Sequence, residues 1–475
     1  MNPSNTNVVR YEPTWESLKS YSVPQWFKDA KFGIFIHWGV YAVPAFASEW
    51  YPRNMYREDS PVFTHHRKTW GPQSEFGYRD FVPLFRAEKW DPAAWVELFK
   101  EAGARYVVPV AEHHDGFALY ATDYTRWNAA NMGPRRDVIA ELEKTVRAQG
   151  LKFGVSTHRA FNWRYYAYAD EFDSLNPEYA DLYSPPHPEQ EPASVEFLES
   201  WFARTKELVD KFQPDVLWFD FGWHWDEFAP YRPRVAAYYY NRAIDWGKGV
   251  VLQYKDKFPE GTAVLDIERG KLDDIREHYW QTDTSVSYRS WGYVENDEFK
   301  TVTTVVHDLV DIVSKNGNLL LNVGPRADGT IPDQAADLLR GVGDWLEVNG
   351  EAIYGTRHWL TYGEGQAKVA TGHLKEREDE PLTVEDIRFT TKGDALYAIC
   401  PQWPGDQVTI QSLGASSAVH AGMISQVSML GSQGTLSWSQ DESGLTIETP
   451  PEKPCQHAYT FKIVLSKPTP WETSN

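Results

Sequence analysis

What most constrains this chain is an alternation that begins at residue 31, in which short β-rich apolar runs are separated by segments with the three-and-four apolar spacing of helices. The runs are KFGIFIHW at 31–38, ARYVVPVAEHH at 104–114, LKFGVSTH at 151–158, PDVLWFD at 214–220, GVVLQYKD at 249–256 and GNLLLNVGP at 317–325. Between them, DPAAWVELFKEAG opens with Asp-Pro and closes with Gly, while DVIAELEKTVRAQG and SVEFLESWFARTKELVDKF repeat apolar residues along one face. Strand alternating with helix implies a parallel sheet, because parallel neighbours need a crossover. No glycine-rich dinucleotide turn follows the first strand, so the expected class is α/β, with a (β/α)8-like, TIM-type barrel rather than a doubly wound sheet. Six strands can be read, fewer than the eight a barrel requires.

After GDWLEVNGEAIYGT the texture changes to short alternating runs with Gly, Asp and Ser turns, such as IRFTTKGDALYAIC and HAYTFKIVLS. The expected domains are a catalytic barrel over 1–353 and an antiparallel β-sandwich over 354–475. At 475 residues the chain exceeds one ordinary core, in keeping with two units. A net charge of -20 without any Lys/Arg cluster disfavours nucleic acid and anionic membrane as partners. The 21 Trp, 26 Tyr and 23 Phe can fill cores and stack on sugar faces. The two cysteines, Cys400 and Cys455, cannot build a disulfide framework. The N-terminal stretch has no apolar leader core, so the chain as written is expected to be cytoplasmic, or secreted or periplasmic if a leader was removed.

Polar residues gather at the ends of the apolar runs: His37, Glu112, His113, His114, Asp115, His158, Asp220, Lys255 and Asp256. Any one of them could simply turn the chain or cap a helix, but their recurrence at barrel strand ends marks a site. His113, His114 and Asp220 are conceivable zinc ligands, although neighbours on a strand point to opposite faces unless a bulge redirects one. Neither metal nor cofactor is expected, and no Gly-x-Ser-x-Gly elbow appears. Glycoside hydrolysis needs two carboxyls on one anomeric carbon. Asp220, on a rigid strand end beside Trp218, Phe219, Phe221 and Trp223, suits the nucleophile. For its partner, the stretch 261–293 offers Asp266, Glu268, Asp273, Asp274, Glu277 and Asp283, and spacing does not choose among them.

The segments WFKDAKFGIFIHWGVYAVPAFASEWYPRNMY, EHHDGFALY, DVLWFD, SWGY and NGNLLLNVGPRADGTIP together resemble the α-L-fucosidases of glycoside hydrolase family 29, in the family's order. The resemblance implies an exo-acting, retaining enzyme that takes terminal α-L-fucose from fucosylated glycans without a metal. By position it implies Asp220 as nucleophile, His37, His113 and His114 on the sugar hydroxyls, and Glu49 with Trp50 lining the pocket. Glu268, in DIERG, resembles the acid/base of some branches. The chain departs from the family in having Gln281 where a Glu is frequent and Phe221 where Gly follows the nucleophile. His158, with Trp163, stands in place of a sugar-binding tyrosine, and Lys255 in place of an arginine. Phe35, Trp50 or Trp291 would meet the sugar's methyl group. Retention implies carboxyls roughly 5–5.5 Å apart, with Asp220 ionised and Glu268 protonated before attack. The alternatives are a fucose-binding, lectin-like protein and a metal-dependent barrel hydrolase. Leaving-group contacts are expected from 57–80 and 164–196, which are rich in Tyr, Pro, His and acidic residues.

Overall fold

The computed structural model describes residues 10–466; residues 1–9, part of the stretch read for a leader, lie outside the described residues, as do 467–475. Eight parallel strands close in sequence order: β1 (Phe32–Ile36), β2 (Tyr106–Glu112), β3 (Lys152–Thr157), β4 (Val216–Phe219), β5 (Val251–Tyr254), β6 (Val264–Glu268), β7 (Trp280–Ser285) and β8 (Gly317–Val323). β6 and β7 were not read as strands; both lie in the stretch searched only for a carboxylate. Their sequences, VLDIE and WQTDTS, turn polar side chains into the barrel, so neither shows an apolar run. The connections 255–263 and 269–279 contain no helix, which removes the alternation that revealed the other strands.

The predicted helices form where their caps place them. Asp91 accepts from Ala93 and Ala94 at the start of α1 (Pro92–Glu101), Asp137 from Ala140 at α2 (Val138–Ala148), and Ser194 from Phe197 at α3 (Val195–Phe212). Further helices α4 (Tyr231–Trp246), α5 (Val302–Ser314) and α6 (Asp333–Asn349) follow. One large core lies between strands and helices, and a second fills the barrel with Phe35, Tyr106, Val108, Val110, Val216, Trp218, Val251, Val264 and Leu320.

The C-terminal unit has two antiparallel sheets. The larger joins β9 (Arg357–Gly363), β10 (Arg388–Lys392), β11 (Ala395–Cys400), β13 (Ile424–Met429) and β16 (Tyr459–Leu465), in the order β13-β16-β11-β10-β9. The smaller joins β12 (Gln407–Ile410), β14 (Trp438–Asp441) and β15 (Gly444–Glu448), with β15 central. Their facing apolar residues, among them Phe389, Leu396, Phe461, Ile410 and Ile447, share one core. Cys400 and Cys455 are both free thiols. The larger sheet is fastened to the barrel through Asp311 of α5, which lies 2.7 Å from both Arg388 and Lys315. Burial opposes the charge of Asp311, but the two cations hold its carboxyl well below the usual range. Between β9 and β10 the chain leaves the sheet, and residues 371–379 run as a strap against the end of β6.

Candidate active site

The inward-facing positions of the strands lead upward, in steps of two, from the barrel core to the pocket. Phe35 precedes His37, Ser156 precedes His158, Trp218 precedes Asp220, Gln253 precedes Lys255, Asp266 precedes Glu268, Gln281 precedes Asp283 and Leu320 precedes Asn322. Together these strand ends frame a cavity lined by His37, Glu49, Trp50, His113, His114, His158, Asp220, Lys255, Glu268 and Trp291, with Trp218, Phe221 and Asp283. Ten residues proposed for the site from sequence, His37, Glu49, Trp50, His113, His114, His158, Asp220, Lys255, Glu268 and Trp291, therefore line the same cavity.

Charge is concentrated on the β4–β7 side. The buried ammonium of Lys255 lies 2.7 Å from Asp220 Oδ1 and 2.5 Å from Glu268 Oε2, so those two oxygens are at most 5.2 Å apart. Burial works against the charge of Asp220, but Lys255 and then His158 outweigh it and hold the carboxyl well below the ordinary range. Burial likewise opposes the ammonium, yet Asp220, Glu268, Asp283 and Asp266 hold Lys255 well above the ordinary lysine range. Asp283 is pushed well above the carboxylate range, first by burial and then by Asp266, and burial raises Asp266 as well. Gln281 donates to Asp266 over 2.5 Å and accepts from Tyr106 over 2.7 Å. Lys255 stands between the two carboxyls and donates to both.

The β1–β3 side is built of imidazoles. Burial, followed by His158, pushes His37 well below the usual histidine range; burial and then His114 do the same to His113. Burial carries His158 down to about 4. Neutral His158 faces Asp220 Oδ2 through Nδ1 at 3.2 Å and Ser156 Oγ through Nε2 at 2.7 Å. His114 places Nδ1 at 2.6 Å from the His158 carbonyl and Nε2 at 3.0 Å from Asp220 Oδ2. The β2–β3 register shifts between Val110 and Glu112, and His113 and His114 follow the end of β2 in a turn, where the opposite facing of strand neighbours no longer holds; their rings are 4.6 Å apart. Glu112 consequently turns away from the cavity and pairs with Arg159 and Arg204, each at 2.9 Å.

One support, Asn322, was missed in the sequence. Asn322 accepts from the backbone N–H and Nδ1 of His37, at 3.0 and 2.8 Å, and donates to the Trp291 carbonyl at 2.7 Å. Its signal was the inward alternation Asn318, Leu320, Asn322. Glu49 accepts from Ser290 Oγ and the Trp291 N–H, at 2.8 and 2.9 Å, and so sets the Trp291 wall. Phe35 supports this wall from below, with its ring 4.6 Å from His37 and 4.8 Å from Trp218. Other expectations fail. Asp115 is bonded by Tyr78 at 2.6 Å and raised by burial to about 7, outside the cavity lining. Trp163 is no part of that lining: its ring stacks on His187 and its Nε1 donates to Glu191 O. Asp256, Asp273, Asp274 and Glu277 are exposed, and the last two border a groove at the opposite end of the strands. Arg269, next to Glu268 in the chain, pairs with Glu376 at 2.8 Å.

Ring nitrogens of His37, His113 and His158 lie within 4.8 Å of one another, as do the ligand atoms of His114, His158 and Asp220. Either set could approach a cation, but the Lys255 ammonium already compensates Asp220.

A family model described as Alpha-L-fucosidase matches residues 2–351, and one described as Alpha-L-fucosidase C-terminal domain matches residues 380–464. Tissue α-L-fucosidase of Rattus norvegicus is 32% identical over 470 residues, covering 95% of this chain and 92% of its own. Plasma α-L-fucosidase of Homo sapiens is 33% identical over 484 residues, covering 96% and 93%. The crystal structure of Thermotoga maritima α-fucosidase in complex with fucose superposes with a TM-score of 0.78 at 35% identity, covering 96% of this chain and all, 100%, of that one.

Proposed function

Because the chain belongs to the α-L-fucosidase family, we propose that its pocket cleaves terminal α-L-fucose from fucosylated glycans with net retention, with Asp220 as nucleophile and Glu268 as acid/base. The observation that carries this reading is the single ammonium of Lys255 bonded to both carboxyls, which keeps their facing oxygens within 5.2 Å. Retaining enzymes hold these groups roughly 5–5.5 Å apart, whereas inverting ones leave about 6.5–9.5 Å for a water.

In the first step Asp220 forms a bond to the anomeric carbon as the bond to the aglycone oxygen breaks, and Glu268 gives that oxygen its proton. Lys255 must therefore release Glu268 on the way to the transition state, while its bond to Asp220 keeps the nucleophile ionised. In the second step Glu268 takes a proton from water, the water oxygen bonds to the anomeric carbon, and Asp220 leaves as carboxylate. Neutral His37 and His113 suit sugar hydroxyls because each imidazole offers both a donor and an acceptor. The Trp50, Phe221 and Trp291 surfaces suit the methyl group and C–H face of fucose.

The test is hydrolysis of an aryl α-L-fucoside by wild type, Asp220→Gly and Glu268→Ala with and without azide. Asp220→Gly should lose about 10^4-fold in kcat, the order found when a group acting on the reacting atoms is removed. Azide should then yield β-fucosyl azide with Asp220→Gly and the α product with Glu268→Ala. Wild-type turnover of glycans by Glu268→Ala would assign the acid elsewhere, and a wild type inactive on every fucoside would favour the lectin-like alternative.

A further inference from the structure

The strap from the C-terminal unit reaches the one catalytic carboxylate that the barrel leaves incompletely held. β5 pairs with β6 only as far as Tyr254 opposite Leu265, so the end of β6 has no strand beside it on that edge. The strap takes that place. The backbone N–H of Glu268 donates to His373 Nδ1 at 3.1 Å, and its carbonyl accepts from the Leu374 N–H at 2.7 Å. The next residues are gripped as well, since Arg269 O accepts from Glu376 N at 2.8 Å and Lys271 O from Gly372 N at 3.0 Å. The approach is so close that a Cβ on Gly270 would stand 1.8 Å from Gly372 O.

Glu376 locks the strap down. It accepts from Arg269, Thr284 and Lys300 at 2.8, 2.5 and 2.7 Å, and although burial opposes its charge, Lys300 and Arg269 carry it down to about 2. Lys271, bonded to Asp379 at 2.9 Å, fixes the far end. His373 and Leu374 themselves stay open to solvent, Leu374 with 66% of its surface exposed, although leucine is a residue the rest of the chain mostly buries.

We propose that the strap is the leaving-group side of the active site, with His373 as a positioning residue for Glu268 and His373 with Leu374 as a subsite for the sugar that carries the fucose. This inference rests on Glu268 being the acid/base. The group that Glu268 protonates is the aglycone oxygen, so whatever borders Glu268 on its open edge meets the aglycone. Nδ1 of His373 accepts a backbone hydrogen and must carry a lone pair, which leaves the proton on Nε2 as a donor for a hydroxyl or acetamido oxygen. Leu374 supplies an apolar surface for the C–H face of a hexopyranose ring.

The experiment compares kcat and KM for a fucosyl disaccharide and for 2-chloro-4-nitrophenyl α-L-fucoside, whose leaving group needs little acid help. In His373→Ala the ratio of disaccharide to aryl kcat/KM should fall at least tenfold, mainly through kcat. His373→Asn, whose side-chain oxygen can accept the Glu268 N–H, should recover most of that ratio. Leu374→Ser, at an exposed position, should raise the disaccharide KM several-fold more than the aryl KM. An unchanged ratio in both His373→Ala and Leu374→Ser, or an equal fall on both substrates, overturns the proposal. Glu268→Ala run alongside separates the two readings: if it keeps full disaccharide turnover, the acid/base assignment itself has failed.

Discussion

The β1–β3 side of the pocket and the β4–β7 side meet across one cavity but are made of different chemistry. The first presents His37, His113 and His158, which burial holds neutral. The second presents Asp220, Glu268 and the Asp266–Asp283 pair around one ammonium. Neutral donors and acceptors can grip an uncharged sugar without desolvating a charge, whereas nucleophilic attack needs a carboxylate kept ionised despite burial. The difference teaches that binding and bond cleavage can be perturbed separately, and that Lys255 is where the charged side is balanced.

Removing that cation should break the contrast most severely. Lys255→Met should cost about 10^2–10^3-fold in kcat/KM, the order for loss of a group preorganised at a reacting centre. It also strands buried carboxylates, a loss of about 3–5 kcal/mol that a thermal melt would register. Lys255 depresses Asp220, so in the variant the Asp220 carboxyl rises, protonates at higher pH, and the acid limb of the kcat/KM profile moves upward. An acid limb that stays in place would deny Lys255 this part.

A milder perturbation addresses the imidazole side alone. Asn322→Ala removes the acceptor of the His37 N–H and Nδ1, worth about 1–2 kcal/mol, and should raise KM near tenfold with a smaller change in kcat. A kcat loss equal to that of Lys255→Met would erase the distinction between the two sides.

The last test reads stability rather than turnover. An unfolded histidine titrates near about 6.5, while burial carries folded His158 down to about 4. Its neutral form therefore contributes stability that is fully present above the unfolded value and is lost as pH falls from there toward 4. The slope cannot exceed about 1.4 kcal/mol per pH unit for this one group. Urea melts at several pH values should show a shallower slope across that window in His158→Phe than in wild type.

The two sides also differ in how openly the sequence displays them. β1–β5 and β8 announce themselves because strands buried on both faces are apolar throughout, as in FGIFI and VLWF, and capped helices separate most of them. β6 and β7 do not, because Asp266, Glu268, Gln281 and Asp283 point inward and no helix follows β5 or β6. The inward step of two from Trp218 to Asp220 or from Phe35 to His37 can be read from the chain alone. The same step would have found Asn322, and it fails for His113 and His114 because the register shifts after Val110 and both lie in the turn beyond β2, which cannot be seen before the strands are paired.

By itself the sequence determined the barrel, the antiparallel C-terminal sheets, the family, and the strand ends at which polar groups gather, since each of these is written in local periodicity or contiguous motifs. Only the tertiary structure decided that Lys255 bonds to both Asp220 and Glu268, that burial beside Asp266 pushes the Asp283 carboxyl up, and that His373, 105 residues away, completes the hydrogen bonding of Glu268. Charge balance depends on distances across neighbouring strands, and the strap depends on an edge left open by a strand that ends early; neither leaves a period in the sequence.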